Sequence, residues 1–274
     1  EIRSCDWSSD VCSSDLINTN IYSLNAQRNL NKNSLGLSVA LERLSSGLRV
    51  NSSKDDAAGL AVASRMEADA RGLTVAMRNA ADGISFGQTA DGALATTSEI
   101  LQRMRELAVQ SLNGTLGATE RGYLDKEYQQ LNTQITDLQG AAKLNNQSVF
   151  GTFNFQVGAA SGQTITGTFS SVGAPAGNVS TGAAAALTAI DGKLDAVAAN
   201  RAQVGATMSA LQFRIQQLET ARENQSAARS RIMDADFAAE TAALSRAQIL
   251  QQSGVAMVAQ ANAVPQNVLS LLRG

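Results

Sequence analysis

The chain has 274 residues, 22 basic against 24 acidic side chains, no histidine, and aromatic residues at 4% beside a hydrophobic content of 44%. Without histidine it lacks the commonest general base, the Ser-His-Asp and Cys-His arrangements and most zinc sites, and with charges of both signs mixed it offers no basic patch for a nucleic-acid backbone. So few rings leave Leu, Ile, Val, Met and Ala to build any core, which points to long helices joined by small and aliphatic contacts.

Residues 1–16, EIRSCDWSSDVCSSDL, differ from everything after them. They hold both cysteines (Cys5 and Cys12) and the single tryptophan, Trp7. A disulfide between Cys5 and Cys12 would close a short loop and staple nothing else. The stretch reads as a non-native leader, like translated read-through of a sequencing adapter, with a genuine flexible leader as the alternative.

From Ile17 to Ser46 the composition favours helix. Leu37, Leu41, Leu44 and Leu48 are spaced four, three and four, and Leu30, Leu37 and Leu44 are seven apart, which is the seam by which helices supercoil. Small and polar residues from Gly47 to Lys54 interrupt it. Ser52 with Asp55, and Ser53 with Asp56, are overlapping capping boxes for a second helix. That helix is expected over about 55–112, on the order of 85 Å long. Leu94, Thr97, Leu101, Met104 and Ala108 mark its later seam, and Asn113-Gly114 supplies the turn after it. Gly72, Gly83, Gly87 and Gly92 weaken it, with a break inside the helix as the alternative. A shorter helix follows, with Leu124, Tyr128, Leu131, Ile135 and Leu138 as its stripe.

Between Leu144 and Ile190 there is no charged residue. Phe153, Phe155 and Val157 alternate with polar neighbours, with Ile165 and Phe169 beyond Gly162, which predicts one or two β-hairpins rather than a bare linker. Helix resumes near Ala183. Leu187, Ile190, Leu194, Val197, Val204, Met208, Leu211, Ile215 and Leu218 keep a three-four rhythm broken only by Arg201. The last segment repeats it through Ala243, Ala247, Leu250, Gly254, Met257, Ala261, Val264, Val268 and Leu271, with Pro265 expected to kink it.

Asp55-Asp56 and the pair Asp234 and Asp236 read as helix N-terminal carboxylates, not as an acid–base or metal pair. Asn51, Asn113, Asn146 and Asn178 open N-x-Ser/Thr triplets too common by chance to assign a glycan. No uncharged apolar run reaches the ~18 residues needed to cross a bilayer, and no basic and apolar leader marks a cleavable signal peptide.

The fold class that follows is mainly α: an elongated antiparallel helical bundle or coiled coil formed by the N- and C-terminal segments, with a small β-hairpin insert. Neither terminal helix can bury its stripe alone, and one pairing still leaves a surface that calls for neighbours. The residues expected on this assembly seam are Leu30, Leu37, Leu41, Leu44 and Leu48 in the first helix. In the last they are Leu250, Met257, Val264, Val268 and Leu271.

Several long strings carry a resemblance to a known family. LERLSSGLRVNSSKDDAAGLAVASR at 41–65, RNAADGISFGQTADGAL at 78–94, LQRMRELAVQSLNGT at 101–115 and FQVGAASGQTI at 155–165 resemble bacterial flagellins. So does the whole of 223–274. The family usually has only a few residues before an INTN-like string, here Ile17–Asn20, and often carries a large central domain, here shrunk to about 151–187. The resemblance implies a structural, non-enzymatic protomer of the flagellar filament, needing no cofactor and exported without a cleavable signal peptide.

It also implies a division of labour. Residues 17–54 and 235–274 would form the inner tube, 55–150 and 188–234 a rod-like helical domain, and 151–187 an outward insert. Partners implied are other copies of the chain, an export chaperone at the C-terminal helix, hook–filament junction and cap proteins, and the host Toll-like flagellin receptor. No nucleic acid and no membrane insertion are expected. Arg103, Leu107 and Glu127 fall where flagellins seen by that receptor carry key contacts. Arg103 and Leu107 are a helical turn apart, and Leu107 falls just outside the seam, as an exposed apolar residue beside a charge would. Alternatively Leu107 widens the core stripe and Arg103 pairs with a nearby glutamate. Flagellins often carry O-linked sugars on the Ser and Thr of their insert. A hook–filament junction protein would match less closely at both ends, and a flagellin bearing a zinc protease would need the H-E-x-x-H helix that a histidine-free chain cannot supply.

Overall fold

A computed structural model describes residues 19–273, and the side chains of 19–263. The expected foreign leader, 1–16, lies outside the described residues. Five helices dominate: α1 (Ile21–Ser46), α2 (Ala57–Ser111), α3 (Ala118–Ala141), α4 (Ala183–Met233) and α5 (Phe237–Arg273). Between α3 and α4 run four short strands, β1 (Lys143–Leu144), β2 (Gln147–Ser148), β3 (Gly151–Gln156) and β4 (Thr164–Phe169), paired as two antiparallel hairpins. The fold is mainly α with a small β insert. The chain divides into two compact units, one taking the residues up to Ala63 and from Ser230 onward, the other Ser64–Arg229.

In the first unit α1 and α5 run antiparallel. Asn20 caps α1, accepting from Ser23 N–H at 3.1 Å, while its own Nδ2 donates to the Ala261 carbonyl at 2.7 Å. At the other end Gly47 stops α1 in the left-handed region, φ 71°, and its carbonyl accepts from Ala235 N–H at 2.9 Å. Leu48 pairs with Asp234 as an isolated antiparallel bridge, and Arg49 N–H donates to Met233 O at 2.6 Å. Val50, Ala63 and Met233 make a small core there, with Leu48 against it.

The start of α2 corrects one expectation. Asp56, not Ser53, caps it: its Oδ1 accepts from Gly59 N–H at 2.8 Å. Asp55 serves the turn before the helix, its Oδ2 taking the N–H of Ser52 at 2.9 Å and of Asn51 at 3.2 Å. These bonds, the Ser52 backbone first, hold its carboxyl below the ordinary 3.8. At the start of α5, Asp236 Oδ1 likewise accepts from the Ala238 and Ala239 N–H groups. Helix N-termini present unpaired donors, so both carboxylates are accounted for by capping.

In the second unit α2, α3 and α4 enclose the main core. Ile190, Val197, Val204, Leu211 and Leu218, each seven residues apart, are all buried along α4. Leu94, Leu101, Met104 and Ala108 of α2 and Tyr128 and Ile135 of α3 share one core with Ile190, Val197 and Val204, while Leu211 packs with Ala80 and Val157. Arg201, which broke the rhythm, turns outward to Asp91, with Nε–Oδ1 2.7 Å and Nη2–Oδ2 3.2 Å.

Helix α2 runs unbroken through its glycines, and two of them explain themselves. A Cβ at Gly83 would stand 3.0 Å from both Leu211 and Phe155, and one at Gly87 would stand 2.8 Å from Met208. The β3–β4 hairpin therefore lies against α2 and α4, with Phe153 and Phe155 on one face of β3. They cluster with Phe169 and with Phe86 of α2, the Phe86 and Phe153 rings 5.3 Å apart. The β1–β2 hairpin was not anticipated. It turns through Asn145 and Asn146 at φ 50° and 62°, a left-handed pair that asparagine tolerates.

Candidate functional site

The α1–α5 coil is where the apolar surface is least satisfied. On α1 the covered positions are Ser23, Ala26, Leu30, Asn33, Leu37, Ala40 and Leu44, stepping three and four. On α5 they are Glu240, Leu244, Ala247, Gln251, Gly254, Val258 and Ala261, with the same steps. Both helices thus follow a seven-residue repeat, as an antiparallel coiled coil requires. Small residues line much of the contact, so the backbones approach closely. A Cβ at Gly254 would lie 3.0 Å from Leu30 Cδ1. Polar pins hold the register: Ser23 Oγ donates to Asn262 Oδ1 at 2.7 Å, and Arg43 Nη1 to Glu240 Oε1 at 3.0 Å.

The structure divides the expected seam. Leu30, Leu37 and Leu44 sit on the covered face of α1, half-buried, and Leu48 lies in the linker bridge. Leu41 does not belong to that face: it is 48% exposed, and Ala40 takes the buried position. On α5 the small residues Ala247, Gly254 and Ala261 are covered as anticipated, but Ala243, expected on the same stripe, is exposed and Leu244 takes its place. Leu250 and Met257 are not, being 43% and 63% exposed. A heptad allows the step after Ala247 or Gly254 to be three or four, and the partner helix selects four, which brings in Gln251 and Val258. Leu244, Val258, Ala26 and Ala40 were missed because small or polar positions carried half the stripe. The side chains of Val264, Val268 and Leu271 lie outside the described residues, although α5 continues helical through Pro265 to Arg273.

What remains outside the coil is apolar and open. Leu35 on α1 and Ile249, Val255 and Met257 on α5 are all well exposed. A groove of about 470 Å³ runs along the coil, lined by Tyr22, Leu30, Leu250 and Met257 together with Asn25 and Asn29. Among the described residues no charged side chain lines it. One helix pair thus buries one stripe from each partner and leaves others in water.

The second candidate patch is corrected in part. Leu107 is buried, 1% exposed, and joins the α2–α3–α4 core instead of standing beside a charge. It follows Met104 by three and precedes Ser111 by four, so once α3 and α4 both pack on α2 its stripe widens to include Leu107. Arg103 and Glu127 do meet on the surface, with Nη2–Oε1 2.9 Å, and Arg103 also reaches Glu106 at 2.9 Å. Hydrogen bonds to Glu106 and then Glu127 raise the Arg103 pKa further. Among the described residues no helix is long and apolar enough to cross a membrane, and no cluster of potential metal ligands occurs.

Comparison with known proteins agrees along nearly the whole chain. A family model described as the bacterial flagellin N-terminal helical region matches residues 17–154, and one described as the bacterial flagellin C-terminal helical region matches 187–272. A flagellin of Halalkalibacterium halodurans is 44% identical over 271 residues, spanning 94% of this chain and 100% of that protein. The flagellar filament 33 kDa core protein of Treponema phagedenis is 37% identical over 285 residues, spanning 94% and 100%. A flagellin of Bacillus subtilis is 36% identical over 302 residues, spanning 94% and 99%.

Proposed function

The chain belongs to the bacterial flagellin family, and from that premise we propose that the α1–α5 coil is the surface through which it polymerises. The protein is a structural subunit of the flagellar filament. The observation that carries the assembly reading is the exposure of Leu250 and Met257 beside an uncharged groove. Such residues cost little in water singly, but a continuous apolar flank is covered when copies stack, at ~25 cal/mol per Å². Leu30, Leu37 and Leu44 hold the coil together, while Leu41, Leu250 and Met257 face neighbouring copies. Val264, Val268 and Leu271 continue that role along α5.

In this reading residues 17–54 and 235–274 form the inner tube, 55–150 and 188–234 the surrounding rod, and 151–187 the outer face. The subunit leaves the cell to join the filament, with an export chaperone covering the C-terminal helix until assembly. Hook–filament junction and cap proteins engage the same coil at the ends of the filament. Arg103 and Glu127 form the exposed part of a patch for the host Toll-like flagellin receptor, with Leu107 supporting it from beneath. The subunit has no catalytic role and no cofactor.

Met257→Asp tests the central claim. The side chain is 63% exposed in the single chain, so the monomer should fold as before by circular dichroism. Inside a polymer the unpaired carboxylate would cost several kcal/mol at every repeated contact, so filaments should not grow. Val268→Asp should behave alike. Filaments of normal length from both Met257→Asp and Val268→Asp would refute the role of the coil.

A further inference from the structure

Asn113-Gly114 is the single Asn-Gly dipeptide in the chain, and it sits exposed in the turn between α2 and α3. The turn holds its backbone on both sides: Asn113 N–H donates to Gln110 O at 3.1 Å, and Asn113 O accepts from Leu116 N–H at 3.2 Å. Between these anchors the Gly114 N–H has no acceptor among the described residues. Nothing lies within 4 Å of where a Gly114 Cβ would be. The Asn113 side-chain carbonyl accepts from Thr115 N–H at 3.2 Å, which polarises it. A free amide nitrogen therefore lies one residue beyond an activated, unshielded side-chain amide.

We propose that Asn113 is a site of spontaneous covalent modification, converted through a cyclic imide to a mixture of aspartate and isoaspartate. Hydroxide removes the Gly114 amide proton, and the nitrogen attacks Asn113 Cγ. As the new N–Cγ bond forms, the Thr115 N–H supports the charge gathering on Oδ1. The Cγ–Nδ2 bond then breaks as Nδ2 takes a proton from water, so that it departs as ammonia and the hydroxide is regenerated. Water next adds to one of the two ring carbonyls. Opening at Cγ gives aspartate, and opening at the main-chain carbonyl carbon gives isoaspartate. The balance is one water consumed and one ammonia released, with no change of oxidation state.

The rest of the chain supplies its own controls. Asp82-Gly83, Asp91-Gly92 and Asp191-Gly192 could form the same imide by losing water, but all three lie inside α2 or α4. There each glycine N–H is committed to the carbonyl four residues earlier. Asn145 and Asn146 sit in a turn but precede Asn146 and Gln147, whose side chains crowd the attacking nitrogen. Among the Asn-Gly and Asp-Gly pairs of the described residues, the chemistry is thus concentrated at Asn113. Its product adds a negative charge just beyond the C-terminal end of α2, where the helix dipole disfavours it. Isoaspartate also lengthens by one methylene the main chain that turns α3 back along α2.

The test is to incubate the purified full-length chain in neutral and mildly alkaline buffer and map its peptides by mass spectrometry. Fragmentation locates the modified residue, and an isoaspartyl methyltransferase counts isoaspartate. A mass gain of about one dalton should appear at residue 113, growing with time and faster at the higher pH. Gly114→Ala, which fits the open space and narrows the backbone freedom that ring closure uses, should slow the gain at least about tenfold. Circular dichroism checks that this variant is folded. Equal rates in the parent and Gly114→Ala, or isoaspartate at Asp82, Asp91 or Asp191 matching that at 113, would overturn the proposal.

Discussion

Gly254 of α5 lies against Leu30 of α1 so closely that a Cβ at 254 would stand 3.0 Å from the Leu30 Cδ1 methyl. The contact atom is the end of a flexible side chain, so one methyl can be accommodated by a small rotation, and a large group cannot. Gly254→Ala should change stability by less than about 1 kcal/mol, its helix-propensity gain offsetting the displaced methyl. Gly254→Phe should force α1 and α5 apart. Hydrogen exchange of α1 amides reads this directly: wild-type protection in Gly254→Phe would show that close approach is not what holds the coil.

Gly83 and Gly92 belong to one helix and should respond in opposite senses. Gly83 faces Leu211 and Phe155, both 3.0 Å from its would-be Cβ, whereas nothing lies within 4 Å of Gly92. Gly83→Val should destabilise by roughly 1–3 kcal/mol through overpacking. Gly92→Ala should stabilise by up to about 1 kcal/mol, since it removes only the entropy of glycine. Urea denaturation of the two variants checks both signs.

Tyr128 is fully buried, and its hydroxyl has no hydrogen-bond partner among the described residues. Burial, with the Asp125 charge second, pushes its pKa above the ordinary 10.0. Above that ordinary value the unfolded chain loses this proton while the folded chain keeps it, so the folded state binds more protons and stability falls as pH rises. Tyr128→Phe removes both the unpaired hydroxyl and the titration. It should be neutral or stabilising at neutral pH and should flatten the alkaline decline in melting temperature. A Tyr128→Phe melting curve that falls as steeply as the parent's would assign that decline elsewhere.

Arg201 and Asp91 form a two-pronged pair between α4 and α2, with both side chains partly in water. Such pairs contribute little because solvent screens them and long side chains must be ordered. Arg201→Ala should therefore cost less than about 1 kcal/mol, and that cost should shrink in high salt. A larger loss, unaffected by salt, would show that the arginine acts through its buried stem.

Much of the molecule could be read before its structure. The heptad Ile190, Val197, Val204, Leu211 and Leu218 forms the buried edge of α4 because long aliphatic side chains at fixed spacing leave one solution. The coil was harder. Its contact runs through Ala26, Ala40, Ala247, Gly254 and Ala261, and small residues give almost no hydropathy signal although they decide how near two helices come. Leu41, Leu250 and Met257 consequently looked like the seam when they are its flanks. Leu107 was misplaced for a related reason: one helix pattern cannot show that two partners will pack on it and widen its buried stripe. The left-handed Asn145-Asn146 turn carried a local signal, and attention to asparagine pairs would have found that hairpin.

Asn20 starts α1 and, through the same side chain, grips the carbonyl of Ala261 in α5. A ribosome releases Asn20 early and Ala261 more than two hundred residues later. Every residue of the Ser64–Arg229 unit has been synthesised before α5 exists to cover α1. A newly made chain therefore passes through a stage in which one part can close and the other has no partner. Anything that must handle this protein while it is still incomplete, or still threadable, meets α1 in that unmatched form.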